Sequence, residues 1–138
     1  MATDETSSQS TDGGSPLRWF LVLPAAFLGL FIGELVFTFI AQLFWEHTVF
    51  SLFAKPEIAS WLSIAFIGPF CFVYSSATTA PSNKDKVAWL FVALWVAVEA
   101  VIIYQASVER SHMFHYMSGA FFSIGTALAT ANSFSRGQ

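Results

Sequence analysis

Charge is scarce in this chain. Only 11% of its 138 residues are Asp, Glu, Lys or Arg, where an ordinary soluble domain carries about 25%. A surface with so little charge does not stay dispersed in water, so most of the chain faces something else. The six Lys and Arg are scattered along the sequence and form no basic cluster, which leaves nothing for a nucleic-acid backbone to bind. The single cysteine, Cys71, excludes an intrachain disulfide and reads as a small residue within an apolar run. Metal and nucleophile signatures are missing too: the sequence has no HExxH, CxxC, GxSxG, phosphate loop or dinucleotide fingerprint.

What the chain does have is apolar bulk. Hydrophobic residues make up 55% and aromatics 17%, with 16 Phe, and the mean hydropathy is +0.60. A single soluble core of this length does not bury so many rings, whereas lipid solvates them. Four apolar segments, about 17–45, 58–80, 87–108 and 113–134, reach the roughly 20 residues that cross a hydrocarbon core about 30 Å thick. None shows the strict alternation of a barrel strand, and four strands do not close a barrel. Unpaired backbone groups are too costly in lipid for anything but helix. The expected fold is therefore all-α: an integral membrane four-helix bundle with up-down topology over residues 17–134.

The segments between are polar. Residues 1–16 carry three acids and no Lys or Arg; they are read as a disordered tail rather than a secretory signal. Residues 135–138 form a short C-terminal tail. Ala80 to Lys86 and Glu109 to His112 are tight turns. The stretch from Glu46 to Glu57 is longer and holds Val49-Phe50-Ser51-Leu52-Phe53, which suggests a short piece along the membrane surface, with Pro56 opening the next helix. Trp19, Trp45, Trp61 and Trp89 fall near helix ends, as in an aromatic belt, while Trp95 lies deeper. Short loops make neighbouring helices antiparallel. One side then collects Arg18, Lys84, Lys86 and Arg136, and the other Lys55 and Arg110. The positive-inside rule puts both termini in the cytoplasm of a multi-pass protein, expected in a bacterial inner membrane.

Small residues recur every fourth position at Ala25, Gly29 and Gly33, and at Gly119, Ser123, Ala127 and Ala131. Such ridges let helix backbones approach closely in lipid, within one chain or between copies. Gly68-Pro69 interrupts the second segment and should bend it, freeing a backbone carbonyl near mid-membrane.

Two glutamates lie inside apolar runs, Glu34 in the first segment and Glu99 in the third. At about 1.5 Å per residue both fall at a similar depth, slightly past the middle of their helices. A charge there costs about 2.5–3.5 kcal/mol on insertion scales. Two close carboxyls could share a proton or hold a cation; alternatively each is structural glue between helices. Thr38 and Gln42 continue from Glu34 at four-residue spacing, and Gln105 leads to Glu109 and His112. Both polar stripes run to the outer side, where His47, His112 and His115 also gather. These histidines with Glu109 are candidate ligands for a transition metal or haem.

In its four-helix size, and in placing a glutamate, Glu34, in the first helix, the chain resembles the small multidrug transporters. Glu99 and the long connection after the first helix depart from that pattern, so no residue role is carried over. Three function classes follow. The leading one is a non-enzymatic structural or accessory membrane component, surrounded by the lipid bilayer, as a homo-oligomer or part of a larger membrane complex, with no cofactor and no nucleic acid. The second is a proton- or cation-coupled transporter or ion pathway using Glu34, Glu99, Thr38, Gln42 and Gln105. The third is a metal or haem protein using His47, His112, His115 and Glu109.

Overall fold

A computed structural model describes residues 16–47, 56–109 and 113–136. All but the turn at 80–83 are helical: α1 (Pro16–His47), α2 (Pro56–Leu62), a π turn (Ser63–Ile67), α3 (Gly68–Thr79), α4 (Lys84–Glu109) and α5 (Met113–Arg136). α2, the π turn and α3 are continuous, so the described residues form four helical rods. The surface piece expected between Glu46 and Glu57, the 1–16 tail and the second turn fall largely outside the described residues.

Three rods are long and apolar enough to cross a membrane, judged by length and composition: Pro16–Leu43, Ile58–Thr79 and Lys84–Val108. The fourth, expected to match them, does not. α5 has the length, 24 residues, but Ser118, Ser123, Thr126, Thr130, Asn132 and Ser133 dilute its apolar content. The reason is visible in its packing. Gly119, Ala120, Ser123, Ala127, Thr130 and Ala131 are all buried, so α5 devotes a face to close helix contacts, where small and hydroxylated residues fit best.

α3 is the hub. It touches α1, α4 and α5, and α4 packs along α5. Phe72 sits at the centre, with its ring 5.2 Å from Phe91, 5.3 Å from Trp95 and 5.8 Å from Phe27. Val73 and Ala77 beside it are fully buried. Around this small core the exterior is strongly apolar: Phe20, Phe114 and Phe121 are each more than three-quarters exposed. α1 is the most peripheral rod, with only 11% of its most apolar stretch buried.

The connection between α3 and α4 is tight. Asn83 adopts a left-handed backbone, φ 49°, which its short polar side chain tolerates better than most. The Ala80 N–H closes α3 on the Ser76 carbonyl at 3.1 Å, and the Val87 N–H opens α4 on that of Asn83 at 3.0 Å.

The α1–α3 contact depends on glycine. A Cβ on Gly29 would run into the Ser75 side chain, with Ser75 Cβ only 2.6 Å away and the Cys71 carbonyl at 3.1 Å. A Cβ on Gly33 would meet Cys71 Cβ at 3.1 Å. Gly29→Ala should therefore destabilise the protein by about 1–3 kcal/mol, the usual cost of overpacking, and Ser75→Gly should restore much of the loss. Unfolding in mixed detergent micelles measures both. A Gly29→Ala chain as stable as the parent would mean that α1 and α3 do not meet at this point.

Candidate functional site

The polar interior begins with a missing donor. Pro69 has no N–H, and its ring would press on the carbonyl four residues back, that of Ala65. The helix answers by widening into the π turn, where the Gly68 N–H donates to the Ser63 carbonyl five residues earlier. A carbonyl near the middle of this rod is left to find another partner. The Thr126 hydroxyl of α5 reaches it, sharing its one proton between Ala65 O at 3.2 Å and its own Phe122 carbonyl at 2.9 Å.

The π turn also presents Ser63. This buried residue donates its hydroxyl to Glu34 Oε2 on α1. Glu34 is half-buried. The second carboxyl has a separate setting. Glu99 is buried on α4, and its Oε1 accepts the Ser123 hydroxyl of α5 at 2.6 Å. Ser123 Oγ in turn accepts the indole N–H of Trp95 at 2.6 Å. Trp95 and Glu99 are four residues apart on α4, so both address the same serine from one helix face.

Each carboxyl thus bonds to its own serine on its own neighbouring element. The two clusters share a wall at Gly68, where an added Cβ would lie 3.4 Å from both Glu34 Oε1 and Trp95 Cη2. Among the described residues, every fully buried side-chain nitrogen and oxygen has a hydrogen-bond partner. Ser123 is completely buried, donates to Glu99 and accepts from Trp95, so its oxygen has no approach for a substrate.

The remaining candidates are dispersed. Thr38 and Gln42 are exposed on α1, and with Glu34, Phe31, Leu35 and Phe39 they line an open groove of about 350 Å³. Gln105 is exposed on α4. His115 is exposed near Trp61, with ring centres 6.4 Å apart. His112 and the side chains of His47 and Glu109 lie outside the described residues. Within those described, no three His, Cys, Asp or Glu side chains converge as metal ligands do.

Sequence reading singled out the glutamates but not their partners Ser63 and Ser123, nor Thr126, which reaches the Ala65 carbonyl. For Ser123 there was a signal: a tryptophan four residues before a glutamate, both inside one apolar run, requires an acceptor for its N–H, and Ser123 stood in a ridge of small residues. For Ser63 there was none, because the π turn changes which residues share a face.

The Thr126–Ala65 bond exists because Pro69 withholds a donor. Pro69→Ala returns an N–H to the turn, so Thr126→Val should cost about 0.5–1 kcal/mol in the parent chain and markedly less in the Pro69→Ala background. A double-mutant cycle on unfolding free energies reads the coupling. Equal costs in both backgrounds would show that the hydroxyl is not compensating the proline.

No protein-family model, curated protein or solved structure matches this chain, so the reading of its function rests on the geometry alone.

Proposed function

We propose that this is a small multi-pass membrane protein whose role is structural or accessory rather than enzymatic, with its two membrane-embedded glutamates acting as hydrogen-bond acceptors that fasten helices together. One observation carries this: each carboxyl receives a serine hydroxyl from a different neighbouring element, Glu34 from Ser63 and Glu99 from Ser123. Serine donating to a carboxyl oxygen serves a neutral or a charged acid, and either way the cost of placing the group in lipid falls.

The rods are read as a four-helix bundle in up-down order, with α5 as the fourth span. Contact order supports this. Gly29 meets Ser75 while Gly33 meets Cys71, as in an antiparallel pair. Trp89, early in α4, bonds to Ser135, late in α5, again antiparallel. The hydroxyls of α5 are compatible with lipid because they bond back into the helix: Thr130 to the Thr126 carbonyl at 2.8 Å and Ser133 to that of Thr130 at 2.6 Å. Arg18, Lys84, Lys86 and Arg136 favour the cytoplasm for both termini. The surrounding bilayer covers the exposed Phe and Leu side chains.

A second reading has one observation in its favour. Glu34 reaches the groove that Thr38 and Gln42 also line, a polar track along which a proton or cation could approach the carboxyl.

Conservative substitutions separate the two. Glutamine keeps the acceptor oxygen, so Glu34→Gln and Glu99→Gln should each leave stability within about 1 kcal/mol, whereas Ser123→Ala strands both Trp95 and Glu99 and should cost about 1–3 kcal/mol. Proton flux into liposomes, followed with a trapped pH dye, should be at background for the parent and both glutamine variants. Parent flux above background that Glu34→Gln abolishes, with the fold intact, would replace the structural reading with the transport one.

A further inference from the structure

We infer that two copies of this chain associate in the membrane through the face of α1 that carries Glu34, Thr38 and Gln42. The inference rests on the membrane-spanning reading and goes beyond it by naming the surface and its occupant.

The argument starts from where α1 spends its contacts. Val22 and Ala26 are buried, and Gly29 and Gly33 press against Ser75 and Cys71 of α3. At about 100° per residue, Glu34 falls at the rim of that packed face, and Thr38 and Gln42 each step roughly 40° further round, away from α3. Both are exposed. Their neighbours on this face, Phe31, Leu35 and Phe39, are exposed and apolar, and lipid chains cover such groups without cost. Lipid chains offer nothing to a hydroxyl or a carboxamide. Among the described side chains of residues 21–43, the stripe is thus the part of the outer surface of α1 that calls for a protein partner.

The chemistry of the stripe selects a second copy. A threonine hydroxyl and a glutamine carboxamide each both donate and accept, so the stripe is complementary to itself. A two-fold contact, in which each residue meets its own counterpart, requires that property. Glu34 does not oppose it, because one of its oxygens is already engaged by Ser63. The groove of about 350 Å³ beside the stripe gives room for apolar side chains from the opposing α1. Other routes to self-association are largely occupied within the chain. The ridge of Gly119, Ser123, Ala127 and Ala131 is buried, and that of Gly29 and Gly33 packs on α3. Among the described glycines, Gly125 has nothing within 4 Å and lies in a separate groove of about 740 Å³ that Ala129 also lines. The hydroxyls that line this second groove, those of Thr126, Thr130 and Ser133, bond back to carbonyls of α5, so lipid satisfies it.

The test uses the full chain with Cys71→Ala, which removes its only cysteine. Single cysteines are introduced by Thr38→Cys on the stripe, Val36→Cys well away from it on exposed α1, and Ala129→Cys in the α5 groove. Each protein is reconstituted at high dilution in phosphatidylcholine vesicles and oxidised, and disulfide-linked dimer is read on a non-reducing gel. Thr38→Cys should cross-link at least several-fold more than either control. In parallel, Thr38→Val with Gln42→Leu in the otherwise native chain should weaken association at least 10-fold by energy transfer between labelled copies, with helix content unchanged. Equal or greater cross-linking at Val36→Cys or Ala129→Cys overturns the assignment of this face, as does unchanged association in the double variant. Monomer throughout, with the protein retained in carbonate-washed membranes, overturns self-association and leaves the membrane reading standing. Protein released by the carbonate wash overturns both.

Discussion

Pro69 withholds one backbone donor from the middle of the second rod, and much of the interior is arranged around that gap. The π turn that relieves the proline inserts an extra residue into the helix, which shifts the facing of everything before it by roughly 100° relative to α3. Ser63 thereby turns to α1 and Glu34, while Phe72 and Val73, after the break, hold the centre of the core. The carbonyl left over draws Thr126 and with it α5. Gly68, next to the proline, lies between the two carboxyl clusters, where a Cβ would be at contact distance from both Glu34 and Trp95 of α4. Local backbone chemistry at one position thus sets three helix contacts.

Hydroxyl groups do most of the polar joining. With 11% charged residues, the chain has few ion pairs to draw on, and in an apolar setting a serine or threonine satisfies a partner at little steric cost. Ser63, Ser123 and Thr126 each reach across to another element, whereas Thr78, Ser118 and Ser133 bond back to their own helix. The difference follows from position. The first group faces a neighbouring rod that offers a carboxyl or a freed carbonyl, and the second faces outward or along its own backbone.

The helical character of the chain was legible from its long apolar runs, and so was the freed carbonyl at Gly68-Pro69, because both follow from backbone hydrogen bonding alone. Rise per residue speaks to height along a helix and to nothing else. Facing was not legible. Glu34 and Glu99 at similar depth suggested a pair, but depth is silent on rotation, and each carboxyl has its own serine. The π turn hid Ser63 by changing the phase of the helix. The fourth rod was counted as a span on its length and apolar residues; its ridge of Gly119, Ser123, Ala127 and Ala131, read as a packing face, is buried, and the hydroxyls along the helix leave it less apolar than the other three. Of the three histidines, His115 is the one whose side chain lies among the described residues, and it is exposed beside Trp61.

On the membrane-spanning reading proposed above, the pairing of Glu99 with Ser123 bears on how the chain enters a bilayer. Taken singly, α4 carries an unpaired carboxyl and α5 is too rich in hydroxyls to partition strongly on its own. Joined through the short 110–112 link, the two cancel much of each other's cost, since the serine that weakens α5 is the donor that neutralises the burden on α4. In a bilayer, α4 and α5 are better suited to leave the translocation machinery together as a hairpin than one after the other. α1 carries the same kind of burden in Glu34, and the Ser63 hydroxyl of the second rod relieves it.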